Sequence, residues 1–158
     1  KPMGNGHPIG GVVASTDTLN AFRKAFRYFN TFGGNPVSCA AASAVLDVLD
    51  DEKLMENARV IGEHARAGLS KLAEKHDLIG NVRGSGLFFG AELVLDRVTK
   101  EPAAEIATRV INAMRERGVL MGKLGVQQNA TKIRPPMPFS KDNADMMLSV
   151  LDDVLSGL

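Results

Sequence analysis

Lys1-Pro-Met-Gly-Asn-Gly-His-Pro8 opens the sequence. Two glycines around Asn5 let the backbone turn tightly beside a ligand. A lysine ahead of such a turn acts as a Schiff-base nucleophile when it is desolvated. A solvated lysine is the alternative this pattern leaves open. A second stretch, Phe29-Asn-Thr31-Phe-Gly33-Gly34-Asn35-Pro36, sets a hydroxyl beside a Gly-Gly turn that leads into a helix N-terminus. Free amides and the positive end of the helix dipole make it a candidate phosphate cradle, with an ordinary cap and turn as the alternative. Lys132 and Arg134 alternate along one short strand and so project to the same face. Such a pair can hold a carboxylate or phosphate, or stand as two solvated edge charges.

Other patterns carry less chemistry. Gly84-Ser-Gly86-Leu-Phe-Phe-Gly90 is not a dinucleotide fingerprint, because it runs into a strand rather than a helix. Its glycines fit close packing. No GxxxxGK[ST] loop occurs. His7, His64 and His76 lie far apart without metal-ligand spacing, so no metal is expected. His64 and His76 read as solvated. No Ser/His/Asp set emerges, and Cys39 on an Ala-rich helix reads as packing.

The elements that must position these residues follow from periodicity and punctuation. Residues 9–15 are small, β-branched and uncharged, and predict a short buried strand. Thr16 or Asp17 could cap a helix over 17–25, with Leu19, Phe22 and Phe26 on one face. A loop spans 28–36. Asn35 as cap and Pro36 at the first helical position predict a helix over 36–50, with Val37, Ala41, Ala44 and Val48 on one face. A second helix covers about 51–75, with Leu54, Ala58, Ile61, Ala65, Leu69 and Leu72 at helical spacing. Extended pieces over 79–83 and 86–95 follow. Pro102 opens a helix over 102–117 that Gly118 stops. Short strands are predicted near 119–122 and 131–134, the second ended by Pro135-Pro136. Ser140 caps a last helix, 141–156, lined by Ala144, Met147, Leu151 and Val154.

Length and composition bound the protein class. The chain has 158 residues, 44% hydrophobic and 23% charged, with a net charge of +1. This is a soluble globular balance, with no footprint for nucleic acid or an anionic membrane. No apolar run approaches the ~20 residues of a membrane span, and no signal peptide pattern is present. The single cysteine excludes an internal disulfide framework and points to a reducing, cytoplasmic setting. The chain begins at Lys1 rather than a methionine, so a fragment or trimmed chain is expected. The element order predicts an α/β to α+β protein. Its seam falls at the helix of 36–50, between residues 1–49 and a compact α+β unit over 50–158.

Four motifs, in this order and spacing, resemble the C-terminal part of a class III pyridoxal-phosphate aminotransferase across all 158 residues. They are Lys1-Pro-Met-Gly-Asn-Gly-His-Pro8, Thr31-Phe-Gly-Gly-Asn-Pro36, Val82-Arg-Gly-Ser-Gly-Leu-Phe-Phe-Gly-Ala-Glu-Leu93 and Pro135-Pro136. Gly6-His7-Pro8 and Lys132-Ile-Arg-Pro-Pro-Met137 resemble the branch that holds alanine–glyoxylate transaminase and the ethanolamine-phosphate and phosphohydroxylysine phospho-lyases. The resemblance implies a fold-type I transferase, with residues 1–49 ending its large cofactor-binding domain and 50–158 forming its small C-terminal domain. It implies pyridoxal 5'-phosphate as cofactor, Lys1 as the residue that binds its aldehyde, and Thr31 as a donor to its phosphate in the partner subunit's site of a homodimer. It further implies an amine or amino acid and a keto acid as substrates, for which Lys132 and Arg134 are the candidate contacts from their placement on the strand. Many family members carry arginine three residues before the Pro-Pro pair, and lysine cannot reproduce its bidentate fork. That departure leaves room for a phosphorylated amine and a phospho-lyase reaction. A third reading is an inactive fragment of such an enzyme.

Overall fold

The computed structural model describes residues 2–158, so the expectations placed on Lys1 lie outside the described residues. The chain forms two compact units, the first ending at Lys53 and the second running from Leu54 to Leu158.

The first unit has a short 3-10 turn (Pro2–Gly4), α1 (Thr16–Ala25) and α2 (Pro36–Asp51). Ser15 caps α1, its hydroxyl accepting from the Thr18 N–H at 3.3 Å. The cap therefore falls just ahead of the expected Thr16 or Asp17. Asn35 caps α2 and Pro36 occupies its first turn, as the sequence predicts. The strand expected over 9–15 is absent: residues 8–15 hold no regular structure, and Val12 and Val13 are 88% and 102% exposed. A strand needs a neighbour for its N–H and C=O groups, and none lies beside these residues among those described. The apolar face of α1 is likewise uncovered at Leu19, Phe22 and Phe26. There Phe22 meets Phe26 and Tyr28 at ring-centroid distances of 5.5 and 5.9 Å.

α2 continues through Asp51, and Lys53 takes a left-handed conformation (φ 51°) before the next helix. The second unit then runs α3 (Leu54–Lys75), β1 (Ile79–Ser85), β2 (Phe88–Leu93), α4 (Ala104–Glu116), β3 (Gly122–Leu124), β4 (Ala130–Lys132) and α5 (Lys141–Ser156). α3 and α4 begin a few residues later than predicted, and the two short strands lie slightly displaced from 119–122 and 131–134. The four strands make one antiparallel sheet in the order β1-β2-β4-β3. Phe89, Ala91 and Leu93 of β2 are buried, while Phe88 is exposed and Gly90 and Glu92 half-buried. This alternation turns one face of the sheet to the core. Leu69 of α3, Val110 and Met114 of α4, and Leu151 of α5 complete that core. Each such side chain contributes roughly 1.5–3 kcal/mol on burial.

Two buried polar side chains repair an irregular ladder between β2 and β4. Phe89 and Ile133 exchange both backbone hydrogen bonds. Beyond that pair, the Thr131 hydroxyl accepts from the Ala91 N–H at 2.9 Å and donates to the Ala91 carbonyl. The Asn129 amide donates to the Leu93 carbonyl at 2.8 Å. Burying these groups is tolerable because their hydrogen bonds are made.

His64 and His76 are not simply solvated. His64 Nε2 lies 2.5 Å from Asp145 Oδ1, and His76 Nε2 lies 2.5 Å from Asp152 Oδ1. Lys141 and Lys75 also donate to these two carboxylates, at 2.6 and 2.7 Å. Both contacts tie α3, or the residue after it, to α5. The Lys75 ammonium, then the His76 ring, hold the Asp152 carboxyl below its ordinary value, and Lys141, then His64, do the same for Asp145. The Arg97 guanidinium closes the C-terminal end of α3, donating to the carbonyls of Ala73, His76, Asp77 and Ile79. No helix among the described residues is long and apolar enough to cross a membrane.

Candidate functional site

The segment after Lys1 is a tight turn. The His7 N–H donates to the Gly4 carbonyl at 3.0 Å, with Asn5 and Gly6 in left-handed conformations (φ 43° and 114°). Gly4 is buried, and a Cβ there would come within 2.7 Å of Ile9 Cγ2. The two glycines thus allow the tight turn that the sequence predicts, Gly6 by conformation and Gly4 by its close approach to Ile9. The His7 side chain reaches across to α2, where its Nε2 and Ser38 Oγ are hydrogen-bonded at 2.8 Å.

The Thr31 loop is held by its own bonds. The Phe32 N–H donates to Asn30 Oδ1, the Gly33 N–H to the Asn30 carbonyl, and the Asn35 N–H to the Phe32 carbonyl. Gly34 supplies the left-handed residue (φ 72°) that turns the chain into α2. At the helix start, Asn35 Oδ1 accepts from the Val37 and Ser38 N–H groups at 3.0 and 3.1 Å. The Cys39 N–H donates to the Asn35 carbonyl. The first amides of α2 expected for a phosphate cradle are therefore occupied by Asn35. The loop offers an anion the Thr31 hydroxyl, which is exposed, and the Gly34 N–H, both without a hydrogen-bond partner among the described residues. A phosphate oxygen can accept from the hydroxyl, so the loop fits a phosphate-bearing group through it.

Lys132 and Arg134 belong to the second unit. They alternate with buried Thr131 and Ile133 and therefore share the other face of the strand and its extension, as expected. Lys132 is half-buried opposite Gly122, and Arg134 is exposed. Neither has an ion-pair partner among the described residues. Arg134 lines a cavity of about 290 Å³ with Phe139, Asn143, Met146 and Met147. A larger cavity of about 400 Å³ opens on the sheet beside Arg83, Phe88, Gly90, Glu92 and Leu124. There Arg83 Nη1 and Glu92 Oε2 pair at 3.3 Å. The His7–Ser38 bond and the Arg83–Glu92 pair escaped the sequence reading. The second could have been found from hairpin register, while the first joins residues 31 positions apart with no local signal.

The family model for class-III aminotransferases matches residues 1–155. The chain belongs to this family. This class-III aminotransferase chain is 45% identical over 156 residues to the mitochondrial alanine–glyoxylate aminotransferase 2 homolog 2 of Arabidopsis thaliana, covering 99% of the chain and 32% of that protein. It is 42% identical to ethanolamine-phosphate phospho-lyase homolog 1 of Caenorhabditis elegans, covering 99% of the chain and 34% of that protein. Among solved structures it matches a phospholyase from Arthrobacter in complex with phosphoethanolamine. That match has 44% identity and a TM-score of 0.93, over 100% of this chain and 37% of the other. A Bacillus anthracis aminotransferase matches at 33% identity and a TM-score of 0.76, over 84% of this chain and 31% of the other. The chain thus spans about a third of the length of the relatives it matches. Its helices over a small antiparallel sheet are the architecture of part of the class-III fold.

Proposed function

We propose that this chain is part of a pyridoxal 5'-phosphate-dependent aminotransferase that moves an amino group from an amine or amino acid to a keto acid. The family match over nearly the whole chain carries this reading. Residues up to the seam at Lys53 would close the large cofactor-binding domain, and the rest would form the small C-terminal domain. Pyridoxal phosphate, when bound, supplies an electron sink for the carbanion left by loss of a substrate proton. The Lys1 amine would carry the cofactor aldehyde and, once released, take the proton from the substrate carbon as general base. The Thr31 hydroxyl would donate to the cofactor phosphate in the partner subunit's site of a homodimer. Lys132 and Arg134 would hold the acidic group of the substrate. The exposed single thiol of Cys39 fits a reducing compartment, and we place the enzyme in the cytoplasm.

A second reading has its own support. Lys132 stands where many members carry arginine, and the match to the Arthrobacter phospholyase covers the whole chain. A phosphorylated amine would then lose phosphate instead of passing its amino group on. One experiment separates the two. The complete enzyme is incubated with alanine and glyoxylate, or with phosphoethanolamine, and keto-acid-dependent product and inorganic phosphate are measured. Product that requires the keto acid supports the aminotransferase, and phosphate release without a keto acid supports the phospho-lyase. Lys1→Ala should abolish turnover and the borohydride-reducible cofactor adduct, and an adduct that persists at another lysine overturns the role given to Lys1.

A further inference from the structure

We infer that His7 is a positioning residue that anchors the turn following Lys1 onto α2 through Ser38. The inference rests on the role proposed for Lys1 and adds a residue that the family motif alone does not explain. Between Lys1 and His7 lie Pro2, Met3, Gly4, Asn5 and Gly6, and the Gly4-Asn5-Gly6 part has little rigidity of its own. Something must hold such a turn if the lysine that precedes it is to meet an aldehyde in one geometry. The Pro2–Gly4 turn packs against α2. Gly4 is buried against Ile9, and the His7 N–H closes the turn on the Gly4 carbonyl. The bond from the turn's side chains to the rest of the unit is His7 Nε2 to Ser38 Oγ, at 2.8 Å and partly buried.

Ser38 is a firm anchor. Its N–H is fixed by Asn35 Oδ1, the cap of α2, at 3.1 Å. That same asparagine follows Gly33 and Gly34 of the Thr31 loop. The path from the lysine turn to the phosphate loop therefore runs His7, Ser38, Asn35, all within the first unit. Under the dimer reading, the two ends of this path serve different sites, so the bond also links a chain's own site to the one it completes. Glutamine places an amide at a distance similar to that of the imidazole Nε2, whereas phenylalanine keeps the ring volume and removes the bond.

The test uses the complete enzyme as apoprotein, with His7→Phe, His7→Gln, Ser38→Ala and the double variant His7→Phe/Ser38→Ala. Two quantities are read: the rate at which added pyridoxal phosphate becomes fixed to protein by borohydride, and the thermal midpoint of the apoprotein. Loss of one hydrogen bond predicts a slowing of roughly 2- to 12-fold for His7→Phe and for Ser38→Ala. The double variant should be no slower than either single one, and His7→Gln should recover most of the rate. A merely structural bond would lower the midpoint and leave the rate of fixation by folded protein unchanged, which overturns the inference. So would His7→Gln as slow as His7→Phe. Should His7→Phe not fold, Ser38→Ala against wild type carries the same comparison. Lys1→Ala separates the layers. If it loses the adduct while His7→Phe fixes cofactor normally, the positioning role fails and the function stands. If it keeps the adduct, the reading of Lys1 fails and takes this inference with it.

Discussion

Thr31 is the side chain on which the proposed phosphate contact most directly depends. Its hydroxyl is exposed, while the neighbouring amides are spent on Asn30 and Asn35. With the helix amides occupied, the Gly34 N–H is another donor of this loop without an acceptor among the described residues. Thr31→Ala should therefore weaken pyridoxal phosphate binding by the complete enzyme roughly 10- to 150-fold, the span expected for one hydrogen bond to a charged group. Equilibrium titration of apoprotein measures this, and unchanged affinity would remove Thr31 from the site. At the same scale, Asp152 makes stability depend on acid. Its carboxyl, held low by Lys75 and His76, stays ionised in the fold at pH values where the unfolded chain begins to protonate it. The unfolded state then binds more protons, so this contribution is present above the ordinary value of 3.8 and is lost as pH falls through the lowered folded value. Thermal midpoints of wild type should drop more steeply than those of Asp152→Asn between roughly pH 5 and pH 2. Parallel curves would show that the pair contributes nothing.

Among the elements, α3 organises the second unit, and it does so by what it lacks as much as by what it carries. Leu54, Ile61, Ala65 and Leu69 are buried along it at helical spacing. Gly62 lies against the β1–β2 turn so closely that a Cβ would sit 2.1 Å from the Gly86 carbonyl oxygen. Gly86 cannot easily yield, since it is itself the left-handed residue of that turn (φ 51°). Helix propensity favours alanine over glycine by about 1 kcal/mol, but the clash is with backbone. Gly62→Ala should cost about 1–3 kcal/mol of stability, read by denaturant unfolding. A variant as stable as wild type would mean that the hairpin shifts at little cost.

For the whole molecule, the distribution of apolar burial decides what can stand alone. The core cluster lies entirely within residues 61–155. In the first unit, Ala42 is the buried hydrophobic residue among those described, while Val12, Val13, Phe26, Phe29 and Phe32 are all more than half exposed. Residues 54–158, produced separately, should fold with a cooperative thermal transition followed by circular dichroism. Residues 2–53 should show none and should self-associate. A cooperative transition in the shorter piece, or its absence in the longer, would contradict this division.

Several helix boundaries were legible because a cap is a local event, although the cap of α1 is Ser15 rather than the expected Thr16 or Asp17. Asn35 and Ser140 sit next to the amides they satisfy, and Gly118 stops α4 by its own left-handed backbone (φ 83°). The buried faces of α3 and α5 were legible too, because burial at a fixed period is written in residue type. The class III motifs were equally local, each a run of adjacent residues around a turn. Tertiary structure alone decided the rest. Residues 9–15 carry a strand's composition but find no neighbour beside them. His64 and His76 find carboxylates 81 and 76 residues away. The helix amides that seemed open to phosphate are closed by Asn35, a residue equally suited to either role. In each case the residue states what it can bond, and only the folded chain supplies or withholds the partner.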